Sequence, residues 1–154
     1  MDVKDINVFT EVLLSSFETA VNSVPYRYAD FKRLEGDVKN PDDMMCTVTF
    51  TGALHGAFIL TFPEKTAKHV YKGLIFEEAS KLGPEVFEAF TEILNMVIGN
   101  VKASLSGRAV DFTTPKVEAG RNAKFVNTDK LVWLFIPMEF KDWGRFGIYL
   151  GIKG

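Results

Sequence analysis

The sequence has a single cysteine, Cys46, and so cannot form an intrachain disulfide. A lone cysteine is compatible with a reducing compartment. The sequence also lacks an apolar run of the ~18 residues that a membrane span needs. Its first residues, Met-Asp-Val-Lys-Asp, lack the basic and apolar regions of a signal peptide. We therefore expect a cytoplasmic protein with no membrane partner.

The sequence has no marked excess of charge of either sign. Its 18 basic and 20 acidic side chains give a formal net charge of −2. Lys and Arg do not gather in one segment, so the basic patch that binds nucleic acid is missing and we expect no such partner. The apolar fraction is 47%, including 14 Phe, which is typical of a globular protein. The length fits one domain, residues 1–154.

Apolar side chains recur at helical spacing in two long segments, residues 5–21 and 84–105. A shorter helix is predicted from Pro63 to about Gly73. Thr61 and Glu64 have the spacing of a capping box at its start. Alternating or continuous apolar runs predict strands at residues 46–51, 57–62, 116–119, 131–140 and 145–152, and a shorter extended stretch at 26–34.

The order of these elements predicts an α+β fold with a mostly antiparallel sheet, two long helices and a shorter third. A helix followed by strands and a hairpin occurs twice, once led by residues 5–21 and once by residues 84–105. We interpret this order as an internal duplication of a helix–strands unit. The strand at 131–136 is nearly all apolar, which predicts a sheet covered on both faces.

The helix predicted over residues 84–105 separates apolar from polar side chains. Its polar side includes Glu88, Glu92, Asn95 and Gly99. Asn is a poor residue for a helix interior, and an exposed glycine costs about 1 kcal/mol relative to alanine. At Gly99 the missing side chain leaves a clear approach to Asn95. Asn95 and Gly99 therefore make the helix less stable than better helix formers would. We interpret this side of the helix as a surface that binds a partner.

The chemistry of Asn95 and Glu92 favours a phosphorylated protein as that partner. A carboxamide donates and accepts hydrogen bonds while staying neutral, so it can orient a water molecule. Phosphoryl transfer needs such an in-line nucleophile more than it needs deprotonation. Glu92 lies three residues before Asn95, on the same helical face. Because a carboxylate repels phosphate, its natural target is a cation on the molecule that carries the phosphate.

The segment Glu92-Ile-Leu-Asn95-Met-Val-Ile-Gly99-Asn100 resembles the Glu-x-x-Asn motif of the CheC/CheX/FliY family of chemotaxis phosphatases. The preceding Phe50-Thr-Gly-Ala-Leu-His-Gly-Ala-Phe-Ile-Leu60 and Pro63-Glu-Lys-Thr-Ala67 also resemble the strand–turn–strand–helix of that family. The chain has Glu88 where the family often has Asp or Ser four residues before the Glu. Its Pro115 comes slightly earlier than the proline that the family places after the Asn.

The resemblance implies a CheC-like fold and hydrolysis of the aspartyl phosphate on a CheY-like receiver domain. Asn95 would align the attacking water and Glu92 would pair with the receiver's active-site Lys, with Glu88 and Gly99 as partner-binding residues. Mg²⁺ would belong to the receiver, so this chain would need no cofactor and no metal ligands of its own. Glu18 and Asn22 have the wrong spacing for a second motif, which favours the single-site CheX type and a homodimer.

Two other functions are compatible with the same residues. A non-catalytic module of this fold would bind a receiver through residues 84–105 without speeding its dephosphorylation. A small-molecule sensor domain would need a deep apolar pocket. Faster loss of phosphate from a receiver distinguishes the enzyme from the binding module, and an exposed face at Glu92 and Asn95 with no deep pocket beneath it counts against the sensor.

Overall fold

The computed structural model describes residues 2–105 and 107–153, which form three helices and ten strands. The helices are α1 (Val3–Val21), α2 (Glu64–Ile75) and α3 (Pro84–Ser104). The strands are β1 (Tyr26–Arg27), β2 (Lys32–Leu34), β3 (Val38–Lys39), β4 (Met44–Gly52), β5 (Gly56–Phe62), β6 (Val110–Phe112), β7 (Lys116–Ala119), β8 (Lys124–Phe125), β9 (Trp133–Phe140) and β10 (Gly144–Ile152).

The main sheet is antiparallel and has the strand order β1-β9-β10-β5-β4-β6, with β2 beside β9 and β7 beside β4. Its centre is the pairing of β5 with β10, in which Gly56–Thr61 lies opposite Gly147–Ile152. Helix α1 precedes the β4–β5 hairpin, and α3 precedes the β9–β10 hairpin. The repeated helix–hairpin order predicted from the sequence is therefore present in the topology, and the two hairpins meet at their second strands.

Phenylalanine side chains fill the core between the helices and one face of the sheet. The rings of Phe62 on β5 and Phe146 on β10 stack with centroids 4.8 Å apart. Phe17 of α1 packs against both rings at 6.4 and 5.8 Å. Helices α1 and α3 lie side by side, and the Asn100 amide donates to the Ser16 hydroxyl at 3.1 Å. Helix α3 packs against both α1 and α2 and contributes one side to this core.

The other face of the sheet is covered by a smaller apolar cluster around Trp133, Ile59 and Tyr149. The short strands β3 and β8 pair with each other and contribute Val38 and Phe125 to this cluster. Trp133 belongs to this cluster, whereas Ile136 of the same strand belongs to the helical side. The prediction that this apolar strand is covered on both faces is confirmed.

The predicted capping box at α2 is wrong. The helix begins at Glu64 with Pro63 as its N-cap residue, so Thr61 lies too far upstream to cap it. The Glu64 backbone N–H instead donates to the Asp43 carboxylate at 2.8 Å. The Thr61 hydroxyl is buried and has no hydrogen-bond partner among the residues that the structure describes.

Other differences concern short elements and ends of elements. The strands Val38–Lys39, Val110–Phe112 and Lys124–Phe125 were not predicted, and the last long strand pair begins at Trp133 rather than at residue 131. Helix α1 begins at Val3, two residues before the predicted start, because the Asp2 carboxylate accepts the Lys4 N–H at 2.9 Å.

Candidate functional site

Helix α3 buries one side and exposes the side predicted from the sequence. It starts after Gly83, with Pro84 in the first turn, where its missing N–H removes no helical hydrogen bond. The buried side chains are Val86, Ala89, Phe90, Ile93, Leu94, Val97 and Val101. Phe87, which was predicted to face the core, is half-buried. Glu88, Glu92, Asn95 and Gly99 are all exposed.

These four exposed residues form one stripe, which we call the α3 ridge. Steps of four, three and four residues keep side chains on the same face of a helix. At 1.5 Å per residue, Glu88 and Gly99 lie about 16 Å apart along the axis. Asn95 stands between Glu92 and Gly99, so the structure brings all four predicted site residues onto one solvent-facing surface.

Gly99 leaves open space beside Asn95. A β-carbon built at Gly99 meets no atom within 4 Å, so packing does not require glycine at this position. Below the ridge the core is closed, because Ile93, Leu94 and Val97 are at most 1% exposed. The ridge is therefore accessible to a partner from outside, and the side chains directly beneath it are buried in the core.

A shallow depression runs along one side of the ridge. It has a volume of about 360 Å³ and is lined by Phe87, Glu88, Thr91, Glu92 and Val117. A larger cleft of about 680 Å³ lies beside Trp133 and Ile6, and none of its lining residues belongs to α3. The geometry at Glu92 and Asn95 thus suits surface docking and not the enclosure of a small molecule.

The N-terminal half of the ridge is acidic. Burial, together with the nearby carboxylates of Glu85, Glu77 and Glu88, raises the pKa of Tyr71 above its ordinary value. No salt bridge within residues 2–105 and 107–153 involves Glu88 or Glu92. Both carboxylates are therefore available to a cation on a partner.

The first helix contains a copy of the local sequence around the ridge, which the reading of the sequence missed. Phe9-Thr-Glu-Val-Leu-Leu14 matches Phe90-Thr-Glu-Ile-Leu-Asn95 in its first five positions, with Val for Ile as the one change among them. Both Phe side chains are fully buried. The Thr10 and Thr91 hydroxyls each donate to the carbonyl four residues earlier, at 2.9 Å in both helices.

This copy differs from the α3 segment at the position of Asn95. Glu11 of α1 is exposed as Glu92 is, but Leu14 stands where α3 has Asn95. The counterpart of the ridge on α1 therefore lacks a carboxamide. Glu18 and Asn22, which the sequence suggested as the nearest approach to a second motif, lie outside this repeat, and Asn22 ends α1 with a positive φ of 56°.

The other side chains that could bind a metal or react do not form a second site in the described part of the chain. In the described part of the chain, no three side chains of His, Cys, Asp or Glu come together as a metal site. His55 Nε2 lies 2.9 Å from the Asp129 carboxylate, and this hydrogen bond lowers the pKa of Asp129. Burial raises the pKa of the Cys46 thiol, which is 1% exposed.

Among residues 2–105 and 107–153, none of the helices has the length and apolar character of a membrane span.

Comparison with known proteins places this geometry in context. A family model described as chemotaxis phosphatase CheX matches residues 44–139, which include the β4–β5 hairpin, α2, α3 and most of β9. A search of curated proteins finds no match.

Solved structures share the fold over nearly the whole chain. A CheC-like superfamily protein from Shewanella sp. PV-4 has a TM-score of 0.83 and 24% identity, with 100% of both chains covered. A chemotaxis protein CheX from Vibrio vulnificus has a TM-score of 0.82 and 23% identity over 98% of this chain and 100% of that one. A CheX–CheY–BeF3–Mg²⁺ complex from Borrelia burgdorferi has a TM-score of 0.75 and 20% identity over 97% of each chain. The CheC-like α+β fold predicted from the sequence is confirmed.

Proposed function

Because this chain belongs to the family of the chemotaxis phosphatase CheX, we propose that it hydrolyses the aspartyl phosphate of a CheY-like receiver domain in chemotaxis signalling. The observation that carries this proposal is the exposed carboxamide of Asn95, which stands between an unpaired carboxylate and a glycine with open space around it. The complex of a CheX of the same fold with CheY supports the choice of partner.

Asn95 is the residue to which we assign the chemical step. Its neutral amide can accept one hydrogen bond from a water molecule and donate another to a neighbouring oxygen, which fixes the water's direction. Hydrolysis forms a bond between the water oxygen and phosphorus and breaks the acyl phosphate P–O bond. The products are the receiver's aspartate carboxylate and inorganic phosphate. Orientation of this kind is how a carboxamide assists hydrolysis of phosphoanhydrides.

Glu92 acts as the docking residue in this proposal. Its carboxylate lies one helical turn from Asn95 and has no cationic partner within the described residues. A lysine of the receiver can therefore pair with it, and that pair fixes the position of Asn95 over the phosphate. Glu88 extends the acidic surface by one turn, and Gly99 gives the receiver backbone access to the amide.

We assign Mg²⁺ to the receiver and not to this chain. The described residues offer no cluster of ligands that would hold a divalent ion, whereas divalent ions prefer several carboxylate and carbonyl oxygens. Since the phosphorylated receiver is an intracellular signalling protein, we place the reaction in the cytoplasm.

Substitution of Asn95 by alanine tests the function directly. We expect Asn95→Ala to reduce the acceleration of dephosphorylation about a hundredfold, as the loss of one positioned polar group does in other enzymes, while receiver binding survives. The measurement is the decay of label from a ³²P-phosphorylated CheY-like receiver of the same organism, with binding followed in parallel by calorimetry.

The internal repeat supplies a matched control for this experiment. Glu11→Gln changes the same residue type in the same local sequence as Glu92→Gln, but on the helix that lacks the amide. Glu92→Gln should raise KM for the receiver about tenfold because a docking charge is lost, and Glu11→Gln should leave KM unchanged. If the wild type binds the receiver but does not speed decay of the label, the chain is a non-catalytic binding module.

We also propose that the chain forms a homodimer through the edge of the sheet at β1 and β2. The strand order ends there. Four large apolar side chains along this edge are exposed, namely Tyr26, Tyr28, Phe31 and Leu34, at 46, 49, 51 and 38%. An edge with unpaired backbone groups and apolar side chains is suited to pairing with another strand.

A further inference from the structure

Phe76 combines two unfavourable features at the end of α2. It is the C-cap residue of the helix and has a positive φ of 66°, and its backbone N–H donates to the Lys72 carbonyl at 2.9 Å. Its side chain is 86% exposed. A phenyl ring in water gains no burial, and the left-handed backbone region disfavours bulky residues.

Other residues of the chain show which residue types occupy a backbone conformation with positive φ. The C-cap of α1 has the same backbone conformation at φ 56° and is occupied by Asn22, a residue suited to it. Within residues 2–105 and 107–153, the other non-glycine residues with a positive φ are Lys130 and Asp142, which are polar. Phe76 is therefore the residue whose identity local structure does not explain. An observed backbone outlier of this kind supports a hypothesis of function.

Phe76 lies at the end of α2 that leads into α3, the helix that carries the acidic ridge. The segment from Phe76 to Gly83 connects α2 directly to α3, and the two helices pack together. The pKa of Tyr71, one turn before Phe76, is raised by burial and by the carboxylates of Glu85, Glu77 and Glu88. The residue after Phe76 and the first residue of the ridge thus lie close to one phenol group.

We propose that Phe76 is a second anchor for the receiver domain, inserting its ring into an apolar hollow of the receiver that is bordered by basic side chains. The inference rests on the proposed function and names the part of the interface that the ridge does not supply. The basic border follows from charge complementarity with Glu77 and Glu88. Aromatic side chains, Phe among them, are enriched at protein interfaces, and complementary charges around them favour the correct partner.

One receiver domain is large enough to contact both the anchor and the ridge. Glu88 and Asn95 lie about 10 Å apart along the helix axis, and Phe76 precedes α3 in the chain by the short segment 77–83. A folded domain of about 100 residues has a radius of gyration of about 13 Å. We infer that a single receiver spans the anchor and Asn95, with affinity supplied at one end and chemistry at the other.

The test is the substitution Phe76→Asn, which keeps a residue that suits the left-handed cap, as Asn22 does at α1. We expect KM for the phosphorylated receiver to rise about tenfold, as the loss of a buried aromatic anchor implies, with an unchanged rate at saturating receiver. The melting temperature should not fall. Phe76→Tyr, which keeps the ring, should stay within about twofold of the wild type in KM.

Val126→Asn is the matched control, because Val126 is also a large apolar residue that is 57% exposed, but it follows β8 on the other face of the sheet. It should leave KM unchanged. If Phe76→Asn also leaves KM unchanged while Asn95→Ala abolishes activity, the anchor is wrong and the proposed function stands. A fall in the saturating rate at constant KM would likewise overturn the anchor.

The two proposals can fail separately. If the wild type does not speed dephosphorylation, the proposed function fails, and the anchor is then tested by calorimetric titration of the receiver into wild type and Phe76→Asn. Binding about tenfold weaker in the variant supports the anchor. Equal affinities, or no binding by the wild type, overturn it.

Discussion

Gly99 occupies a helical position at which alanine would make the protein more stable. A β-carbon there would contact nothing within 4 Å, so no steric reason excludes a side chain. Glycine in an exposed helix interior costs about 1 kcal/mol relative to alanine. The same helix also places Asn95 where a better helix former would fit. The proposed access of a receiver to the amide accounts for both residues, whereas helix stability does not.

Gly99→Ala should therefore separate stability from activity. We expect the free energy of unfolding to rise by about 1 kcal/mol, because the unfolded chain loses freedom and no clash arises. Dephosphorylation should slow about tenfold, because a methyl group beside the amide displaces the receiver from its reacting position. Urea denaturation and decay of label measure the two effects.

Ser104→Ala is the control for this prediction. Ser104 is exposed in the last turn of the same helix and lies off the ridge, where its hydroxyl donates to the Asn100 carbonyl at 2.9 Å. It should leave dephosphorylation at the wild-type rate. If Gly99→Ala also retained full activity, the open space beside Asn95 would have no role in docking.

At the scale of the element, the start of α2 shows how a helix end can be capped from a distant part of the chain. Asp43 supplies the acceptor for Glu64 across 21 residues, at 2.8 Å. Thr61, which has a suitable spacing in the sequence, belongs to β5 and leaves its hydroxyl buried without a partner in the described structure. Spacing alone could not reveal which side chain reaches the free N–H.

Two substitutions at this helix start should have opposite effects. Asp43→Ala should lower the free energy of unfolding by about 1 kcal/mol, because it removes the cap. Thr61→Val, which keeps the shape and removes the unpaired hydroxyl, should raise it by about 1 kcal/mol. Urea denaturation of both variants measures the change. A loss of stability in Thr61→Val would mean that the hydroxyl has a stabilising partner.

The sequence predicted the helices and strands in which apolar residues repeat at helical or strand spacing. Helix α3 and its exposed Glu92, Asn95 and Gly99 followed from apolar residues at helical spacing. Strands β3 and β8 have two residues each and pair across a separation of 87 residues, as Val38 with Phe125, so no local pattern marks them. The exposed ring of Phe76 depends on the backbone conformation of the cap, which composition does not show.

The repeat between Phe9–Leu14 and Phe90–Asn95 was visible in the sequence, but the prediction sought the motif itself. Because Leu14 replaces the amide, a search for Glu-x-x-Asn skips the first copy. Comparison of the two long helices with each other would have found it. The pair His55 and Asp129, by contrast, is separated by 74 residues and becomes evident only in the fold.

At the scale of the whole molecule, two similar halves join at the centre of the sheet and differ at their surfaces. The paired strands β5 and β10 and the stacked rings of Phe62 and Phe146 join the two hairpins in one core. The second half presents Asn95, and the first half presents Leu14 at the equivalent place. The sheet ends on the β9 side at β1 and β2, where apolar side chains are exposed.

The exposed edge predicts that the protein is a dimer in solution. Light scattering coupled to size-exclusion chromatography should give twice the monomer mass. Phe31→Asp should shift the protein to the monomer, because it places a charge in the interface. Val126→Asp, at an exposed apolar residue on the other face of the sheet, should remain dimeric. A monomeric wild type at micromolar concentration would contradict the proposed edge pairing.

The exposed position of Asn95 has a consequence for the selectivity of the proposed reaction. Because the residues beneath Asn95 are buried, the proposed hydrolysis would take place in a cleft that the receiver supplies entirely. Discrimination among substrates then resides in the shape of their clefts. A change in a receiver's cleft could therefore gain or lose the reaction without any change in this chain.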